Sequence, residues 1–240
     1  MTLQRPPQPV LTFYRSGPMP CPYLPGRVEQ LLFTELSGSG VQEVFEQLSV
    51  GGFRRSHHIV YRPACRGCAA CVPVRIAVDG FEMTKSWQRV MRANADLTAE
   101  SAGKRITDEQ YQLFQRYLRS RHSDGDMARM NRRDYASMVV SSPVLTDLVE
   151  FRDGVGKLVA GCLMDRLGDG LSAVYSFYEP NLSRRSLGSH VVLWMVAEAR
   201  RLGLPYVYLG FWIENSPKMA YKGRFRPLEG FSADGWQRIR

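Results

Sequence analysis

The sequence lacks any apolar run long enough to cross a membrane. Its longest apolar runs, such as residues 191–197, are far shorter than the roughly 20 residues that a spanning helix requires. The first residues also lack the apolar core of a signal peptide, which predicts a cytoplasmic protein without membrane attachment. No internal repeat or low-complexity tract is present, so a repeat architecture is not indicated.

Cysteine is scarce, with five residues in a chain of 240. In a reducing compartment structural disulfides are not expected, and clustered cysteines favour metal binding or catalysis. In an arginine-rich segment, two residues separate Cys65 from Cys68 and two separate Cys68 from Cys71, and Cys21 precedes them. These four thiols could ligate zinc or an iron–sulfur cluster, both of which accept four thiolates. Because no second Cys-x-x-Cys motif exists elsewhere in the sequence, the alternative is that these cysteines are reduced, partly buried thiols that bind no metal or cluster.

Acidic residues are outnumbered, with 23 aspartates and glutamates against 32 lysines and arginines. The resulting net charge of +9 favours a polyanionic partner, most simply a nucleic acid. Many cytoplasmic enzymes are basic without binding RNA, so the charge alone does not decide the matter. The hydrophobic content of 44% is enough for one large domain or two small ones.

Hydrophobic periodicity and turn residues predict a chain of mixed α+β or α/β class. Strands are expected at residues 28–36, 59–61, 72–78, 147–152, 157–165, 171–178 and 206–209. Helices are expected at residues 41–50, 84–97 and 189–202, with a further helix capped by Thr107 and Gln110. The polar segment 99–104 predicts a linker between an N-terminal domain at 1–100, which carries the cysteine loop, and a C-terminal domain at 101–240.

The segment between the expected strand at 171–178 and the helix at 189–202 has the features of an anion site. A loop with glycine at a helix N-terminus presents free backbone N–H groups, here near Leu187 and Gly188. Arg184, Arg185 and Ser186 add side-chain donors. Acyltransferases of the GNAT-like type place the pyrophosphate of coenzyme A at such a site, and the same architecture serves an aminoacyl-tRNA 3′ end. An ordinary surface helix is the alternative.

The segment 216–227 mixes lysine and arginine with aromatic residues. Stacking and phosphate contacts to single-stranded RNA ends use such a mixture. An amphipathic loop with Met219 and Phe225 in the core is the alternative, but it does not account for the density of basic residues.

Together these segments resemble the aminoacyl-tRNA–protein transferases of the N-degron pathway, and in particular their bacterial subgroup that transfers leucine. The matching motifs span about residues 14–230 and include CPYLPGR at 21–27, FRRS at 53–56, YRPAC at 61–65, CVPVRI at 71–76, YSFYEP at 175–180, SLG at 186–188 and SPKMAYK at 216–222. The four-thiol site of the eukaryotic relatives is not carried over. Leu24 replaces the second cysteine of the first pair, and Ala70 replaces the first cysteine of the second.

The resemblance implies a GNAT-like C-terminal half that transfers leucine from leucyl-tRNA to the N-terminal α-amine of proteins beginning with Asp or Glu. This addition marks those proteins for degradation. Arginine as the donor and a GNAT-type acetyl-CoA N-acyltransferase remain alternatives, as does a non-catalytic RNA-binding protein. We expect a monomer whose catalysis requires no cofactor, with zinc or an iron–sulfur cluster as a possible addition at the cysteines.

The implied reaction is the aminolysis of an ester. It requires alignment of amine and ester, donors for the tetrahedral oxyanion, and a proton for the departing ribose oxygen. An acidic acceptor side chain requires a cation, and arginine can bind a carboxylate with two hydrogen bonds. The candidate residues are Tyr175, Tyr178 and Lys218 at the reacting centre; Arg184, Arg185, Ser186, Leu187, Gly188, Tyr221 and Lys222 at the tRNA end; and Arg54, Arg55 and Tyr61 at the acceptor.

Overall fold

The computed structural model describes residues 11–121 and 129–239. The helices are α1 (Val41–Val50), α2 (Lys85–Ala93), α3 (Asp108–Arg121), α4 (Arg132–Val140) and α5 (Leu187–Arg201). The strands are β1 (Tyr14–Arg15), β2 (Met19–Pro20), β3 (Val28–Glu29), β4 (Leu31–Glu35), β5 (Arg54–Ser56), β6 (Ile59–Pro63), β7 (Val72–Ala77), β8 (Thr98–Ser101), β9 (Thr146–Arg152), β10 (Leu158–Leu167), β11 (Gly170–Tyr178), β12 (Tyr206–Trp212), β13 (Leu228–Ser232) and β14 (Gly235–Arg238). None of the helices in these ranges is both long and apolar enough to span a bilayer.

An eight-stranded sheet organises the molecule, in the order β14-β13-β7-β12-β11-β10-β9-β8. Its strands pair antiparallel except β11 and β12, which run parallel and are connected through α5. Three antiparallel strands followed by this crossover helix and a parallel strand form the GNAT-like arrangement predicted for the C-terminal half. The N-terminal half contributes β7, which lies between β12 and β13.

The prediction of a linker at residues 99–104 was wrong. Residues 98–101 form β8, the edge strand of the large sheet, which pairs with β9. The alternation of apolar and polar residues in β8 is weak, and only Ala99 of this strand packs against the core. As an edge strand, β8 is held in the sheet by backbone hydrogen bonds to its single neighbour. The domain boundary predicted between residues 100 and 101 therefore falls inside a strand.

Helices cover both faces of the large sheet. On one face α5 packs against β10, β11 and β12, and α2 packs against α5. On the other face α3 and α4 enclose a second apolar cluster. The strand β10 is buried on both sides along nearly its whole length, as expected for a strand between two helical layers. The capping box predicted for α3 is confirmed, since Thr107 N donates to Gln110 Oε1 at 2.8 Å and Gln110 N donates to Thr107 Oγ1 at 3.2 Å.

A smaller antiparallel sheet, in the order β1-β4-β6-β5, packs onto the large one. Their shared core joins Phe45 and Val60 from the first half to Leu167 and Tyr208 from the second. The two-stranded sheet β2-β3 lies at the N-terminal side. The two halves of the chain therefore share both a sheet and a core.

Candidate active site

The parallel strands β11 and β12 open a cleft in the middle of the large sheet. They pair only where both begin, over residues 170–172 of β11 and 206–208 of β12. Beyond that point β11 continues to Tyr178 and β12 to Trp212 without pairing to each other. The backbone groups and side chains of the two open halves therefore face a common space.

Arg54 of the smaller sheet occupies this cleft. Its Nη2 donates to the carbonyl of Val174 in β11 at 2.5 Å, while the guanidinium passes against Gly210 of β12. A Cβ atom at Gly210 would lie 3.0 Å from Arg54 Cζ, and Gly210 also has a positive φ of 73°. Glycine is therefore required there for two reasons. No carboxylate of the described residues pairs with Arg54.

The two tyrosines predicted at the reacting centre lie at this cleft. The Tyr175 hydroxyl is buried and lacks a hydrogen-bond partner within the described ranges. Burial raises its pKa, and the Arg54 guanidinium opposes part of that rise. The ring of Tyr178 packs so closely on Gly188 that a Cβ atom there would lie 2.9 Å from Tyr178 Cε1. The start of α5 is therefore brought against the open end of β11.

Two further tyrosines complete the aromatic lining of the cleft. Tyr117 of α3 packs edge-on against Tyr178, with ring centroids 4.8 Å apart. Burial raises the pKa of Tyr117, and the neighbouring tyrosines add to the effect. Tyr61 pairs with Arg54 across the small sheet and lies 6.0 Å from the Phe211 ring. Sequence reasoning missed Tyr117, because the apolar stripe of α3 gives no sign of which cleft it faces.

Lys222 does not have the position expected of a phosphate ligand. It is only 4% exposed, and its Nζ donates to the carbonyl of Phe211 at 2.7 Å. Burial lowers its pKa well below the usual value, and Arg54 lowers it further. Its amine is enclosed by protein and cannot reach the tRNA backbone. It attaches the loop after β12 to that strand, and this contradicts the predicted anion-binding role.

Lys218 and Tyr221 lie on the same loop but reach the surface. Lys218 is exposed. Tyr221 has 42% of its area exposed, yet burial around its hydroxyl raises the pKa and Arg54 opposes that rise. The ring of Tyr221 therefore extends from solvent towards the cleft.

Arg55 is buried away from the cleft, in contrast to Arg54. Its Nε and Nη2 donate to the two carboxylate oxygens of Asp165 in β10, each at 2.7 Å, and Nη1 donates to the His57 carbonyl. Both side chains of the ion pair are at most 1% exposed. The pair joins the small sheet to the large one, which argues against the predicted acceptor-binding role.

Only some of the residues predicted to bind an anion in the turn before α5 are available to do so. Ser186 is exposed and left-handed, with φ 51° and ψ 46°, and Arg184 is exposed beside it. Arg185 instead donates from Nε to Asn94 Oδ1 at 3.0 Å and forms an ion pair with Asp96. It therefore holds the turn against the end of α2. This contradicts a direct anion contact for Arg185, while Arg184 and the backbone of Leu187 and Gly188 remain candidates.

The outer face of α2 carries a row of cations. Lys85, Arg89 and Arg92 are all exposed, and the first turn of the helix has no acidic residue. On the inner face Trp87 stacks on Phe225 with ring centroids 4.7 Å apart and an interplanar angle of 4°. Because Arg185 binds the C-terminal end of α2, this basic face begins next to the turn that leads into α5.

The cysteine loop lies beside the small sheet, and Cys21, Cys65, Cys68 and Cys71 are all half-buried. Burial, together with the other three thiols, raises the pKa of Cys71 to about 12. The four thiols are therefore neighbours. In the part of the chain that the structure describes, however, no group of three or more thiol, imidazole or carboxylate side chains is arranged to hold one metal ion.

The cleft between β11 and β12, with a crossover helix that begins at a basic turn, is the GNAT-like arrangement that the sequence predicted. Residues 109–232 match the family model described as "Arginine-tRNA-protein transferase, C terminus", and residues 19–89 match the N-terminal model of the same family. The chain therefore belongs to the arginine-tRNA-protein transferase family, as its motifs predicted, and it is a transferase.

Its relatives include proteins named aspartate/glutamate leucyltransferase. The one from Paramagnetospirillum magneticum is 55% identical over 227 residues, which cover 95% of this chain and 93% of that protein. The one from Rhodospirillum rubrum is 52% identical over 225 residues, which cover 93% and 92%.

Solved structures of related shape include FemX, with a TM-score of 0.46 and 9% identity over 83% of this chain and 79% of that one. Another is the C-terminal domain of a putative lysylphosphatidylglycerol synthetase from Agrobacterium fabrum. It has a TM-score of 0.45 and 14% identity over 71% of this chain and 52% of that one.

Proposed function

We propose that this protein transfers leucine from leucyl-tRNA to the N-terminal α-amine of proteins that begin with Asp or Glu. The observation that carries the proposal is Arg54, a cation without a carboxylate partner among the described residues, in the open cleft of the sheet. An acidic acceptor side chain supplies the missing carboxylate, and the names of the relatives agree with this acceptor class. The new N-terminus marks the acceptor for degradation in the cytoplasm.

The charge of the cleft favours leucine over arginine as the transferred residue. The charged guanidinium of Arg54 lies at its centre. A second guanidinium would be repelled there unless carboxylates surrounded it. The aromatic rings of Tyr117 and Tyr178 instead offer an apolar surface.

The proposed reaction needs no covalent enzyme intermediate. The α-amine has an unperturbed pKa of about 7.7–8.0, so a useful fraction is neutral at cytoplasmic pH. Its nitrogen attacks the ester carbon of leucyl-tRNA, the new C–N bond forms, and the C–O bond to the ribose breaks. The nitrogen loses a proton and the ribose oxygen gains one. The enzyme holds the two substrates in line and stabilises the negative charge on the carbonyl oxygen.

For the tRNA we propose two contacts, one at each end of the acceptor arm. The 3′ end approaches Arg184 and the backbone N–H groups of Leu187 and Gly188. Lys218 and Tyr221 contact it from the segment that follows β12. The acceptor stem follows the basic face formed by Lys85, Arg89 and Arg92, which starts next to that turn. This uses the positive charge of the chain for phosphate contacts, as RNA duplexes require.

The test uses the purified protein, leucyl-tRNA and arginyl-tRNA side by side, and peptides that begin with Asp, Glu, Lys or Ala. Mass spectrometry reads the added mass. We expect one leucyl residue on the Asp and Glu peptides and none on the others. Transfer of arginine in its place would keep the reaction class but refute leucine as the donor residue. No transfer from either tRNA, with an active control enzyme present, would refute the proposal.

We further propose that the enzyme acts as a monomer and needs no metal for catalysis. The nucleophile is an amine that is already partly neutral, so no metal-bound hydroxide is required. Prolonged treatment with a chelator, followed by the leucyl-transfer assay, should leave kcat/KM within twofold. A loss that added zinc or a rebuilt iron–sulfur cluster restores would instead assign a metal-dependent role to the four cysteines.

A further inference from the structure

The Tyr175 hydroxyl and His190 Nδ1 are the two buried side-chain polar atoms without a hydrogen-bond partner among the described residues. The Tyr175 oxygen is enclosed by protein and forms no hydrogen bond with any described residue. Other buried tyrosines on the sheet or against it are satisfied: Tyr208 donates to Asp169 Oδ2 at 2.8 Å, and Tyr135 donates to Gln110 Oε1 at 3.5 Å. A buried hydroxyl without a partner is costly, and natural proteins keep few of them without a functional reason.

The Tyr175 hydroxyl lies close enough to the cleft for the charge of Arg54 to lower its pKa. Tyr175 belongs to the open part of β11, next to Val174, whose carbonyl binds Arg54. Its ring is held edge-on by Phe114 and Tyr117 of α3, at centroid distances of 5.9 and 6.3 Å. Aromatic packing therefore fixes the position of the ring, while the hydroxyl at its end makes no hydrogen bond to the described residues.

The protonation state limits what this hydroxyl can do. Burial raises the pKa of Tyr175, so the O–H group keeps its proton throughout the physiological range. A group of this kind donates hydrogen bonds and does not act as a base. A preorganised donor is the type of group that stabilises a developing oxyanion.

We propose that the Tyr175 O–H donates a hydrogen bond to the carbonyl oxygen of the leucyl ester as it becomes an oxyanion. This inference rests on the proposed transfer reaction. The donor keeps its proton through the step: the amine nitrogen bonds to the ester carbon, the carbonyl oxygen takes the negative charge, and the charge returns as the ribose oxygen leaves. The hydrogen bond is strongest in the tetrahedral state, so it accelerates the reaction rather than tightening substrate binding.

The ester reaches Tyr175 only after a side chain around it has moved. The hydroxyl has no solvent contact.

The experiment compares Tyr175→Phe with Tyr135→Phe in the intact protein. For Tyr175→Phe we expect kcat to fall about 10²–10³-fold, as for other oxyanion donors, with an unchanged KM for leucyl-tRNA and for the acceptor peptide. Its thermal midpoint should not fall, since the removed hydroxyl had no partner. Tyr135→Phe, which loses a satisfied hydroxyl in the α4 core, should lower the thermal midpoint and leave kcat unchanged.

A third measurement separates a catalytic role from a binding role. A leucyl-tRNA analogue with an amide in place of the ester should bind Tyr175→Phe as tightly as it binds the wild type. If the wild type transfers leucine and the kcat of Tyr175→Phe is within twofold of the wild-type value, the role of Tyr175 is refuted and the proposed reaction stands. Absence of transfer by the wild type would overturn the proposed reaction together with the role of Tyr175.

Discussion

Arg54 is the residue at which the two sheets and the proposed specificity meet. It starts in β5 of the small sheet and ends between β11 and β12 of the large one. A guanidinium keeps its charge at any physiological pH and presents a flat fork of donors, which suits the carboxylate of Asp or Glu better than an ammonium does. Its neighbour Arg55 has the same chemistry, but its fork is already filled by Asp165.

Replacing Arg54 should therefore change acceptor use. We expect Arg54→Met to lower kcat/KM for Asp and Glu peptides by about 30–100-fold, which corresponds to about 2–3 kcal/mol for removal of a hydrogen-bonded charge pair. Arg54→Lys should recover only part of the activity. Arg62, an exposed arginine on the adjacent strand, provides the matched control Arg62→Met, which should stay within twofold. Equal rates for Arg54→Met and wild type would exclude this residue from acceptor recognition.

His190 links the start of α5 to the pH dependence of stability. Burial, assisted by the charge of Arg185, lowers the pKa of His190 to about 4, while Asp96 opposes the shift. In the unfolded chain the imidazole of His190 is protonated below about pH 6.5, whereas in the folded chain it is protonated only below about pH 4. The stability contributed by the neutral imidazole is therefore complete above pH 6.5 and is lost as the pH falls towards 4.

His190→Gln should thus flatten the acid side of the stability profile. Across this pH window the wild type should lose about 1–3 kcal/mol more than the variant, measured as the free energy of unfolding in urea. The exposed His58, changed to Gln, is the control and should follow the wild type. Parallel profiles for all the proteins would show that His190 is not the responsible group.

At the scale of elements, the basic face of α2 makes the most specific prediction. Each substitution that removes a phosphate contact should reduce the slope of log affinity for tRNA against log salt by about one. Changing Arg89 or Arg92 to Gln should raise KM for leucyl-tRNA and leave kcat at saturation unchanged. Lys157→Gln, in the exposed turn between β9 and β10, should leave the salt slope unchanged. An unaltered slope in the α2 variants would place the acceptor stem elsewhere.

Elements with strong local signals were predictable, and those that depend on distant partners were not. The helix α1 has the predicted bounds, because its apolar spacing and the following Gly51 are contained in the segment itself. The strands β8, β13 and β14 carry weak patterns and exist through pairing with β9 and β7. The helix α2 ends at Ala93, earlier than expected, because Asn94 turns inward to bind the Arg185 carbonyl.

The same distinction holds for the candidate site. The proximity of Tyr178 to Gly188 could be predicted because both residues belong to one strand-loop-helix segment, and the catalytic role of Tyr175 stays a prediction. The sequence does not tell which arginine of the pair at 54 and 55 enters the cleft, since neighbouring residues on a strand point to opposite faces. Similarly, nothing in the sequence distinguishes Lys222 from a surface lysine, and its burial is visible only in the folded structure.

For the whole molecule, the Arg55–Asp165 ion pair determines how the two sheets are held together. Removing one member leaves a buried charge without compensation, which typically costs about 3–5 kcal/mol. Arg55→Met should therefore lower the free energy of unfolding by that amount in a denaturant titration. Arg132→Met, which removes an exposed pair with Asp108, should cost less than about 1 kcal/mol.

The activity of the same variant tests the two predicted roles of Arg55. Because the ion pair lies away from the cleft, the folded fraction of Arg55→Met should keep the kcat/KM of the wild type for acidic acceptors. A stable Arg55→Met variant with impaired acceptor use would restore the acceptor-binding role that the buried geometry argues against.

The place of β7 in the large sheet has a consequence for how the protein is made. β7 is synthesised well before β12 and β13, the strands on either side of it. During most of synthesis both of its edges are open to other chains, and open edges are where misassembly starts. We therefore expect the amount of active enzyme in a cell to depend on the rate of translation and on chaperones, independently of the stability of the folded protein.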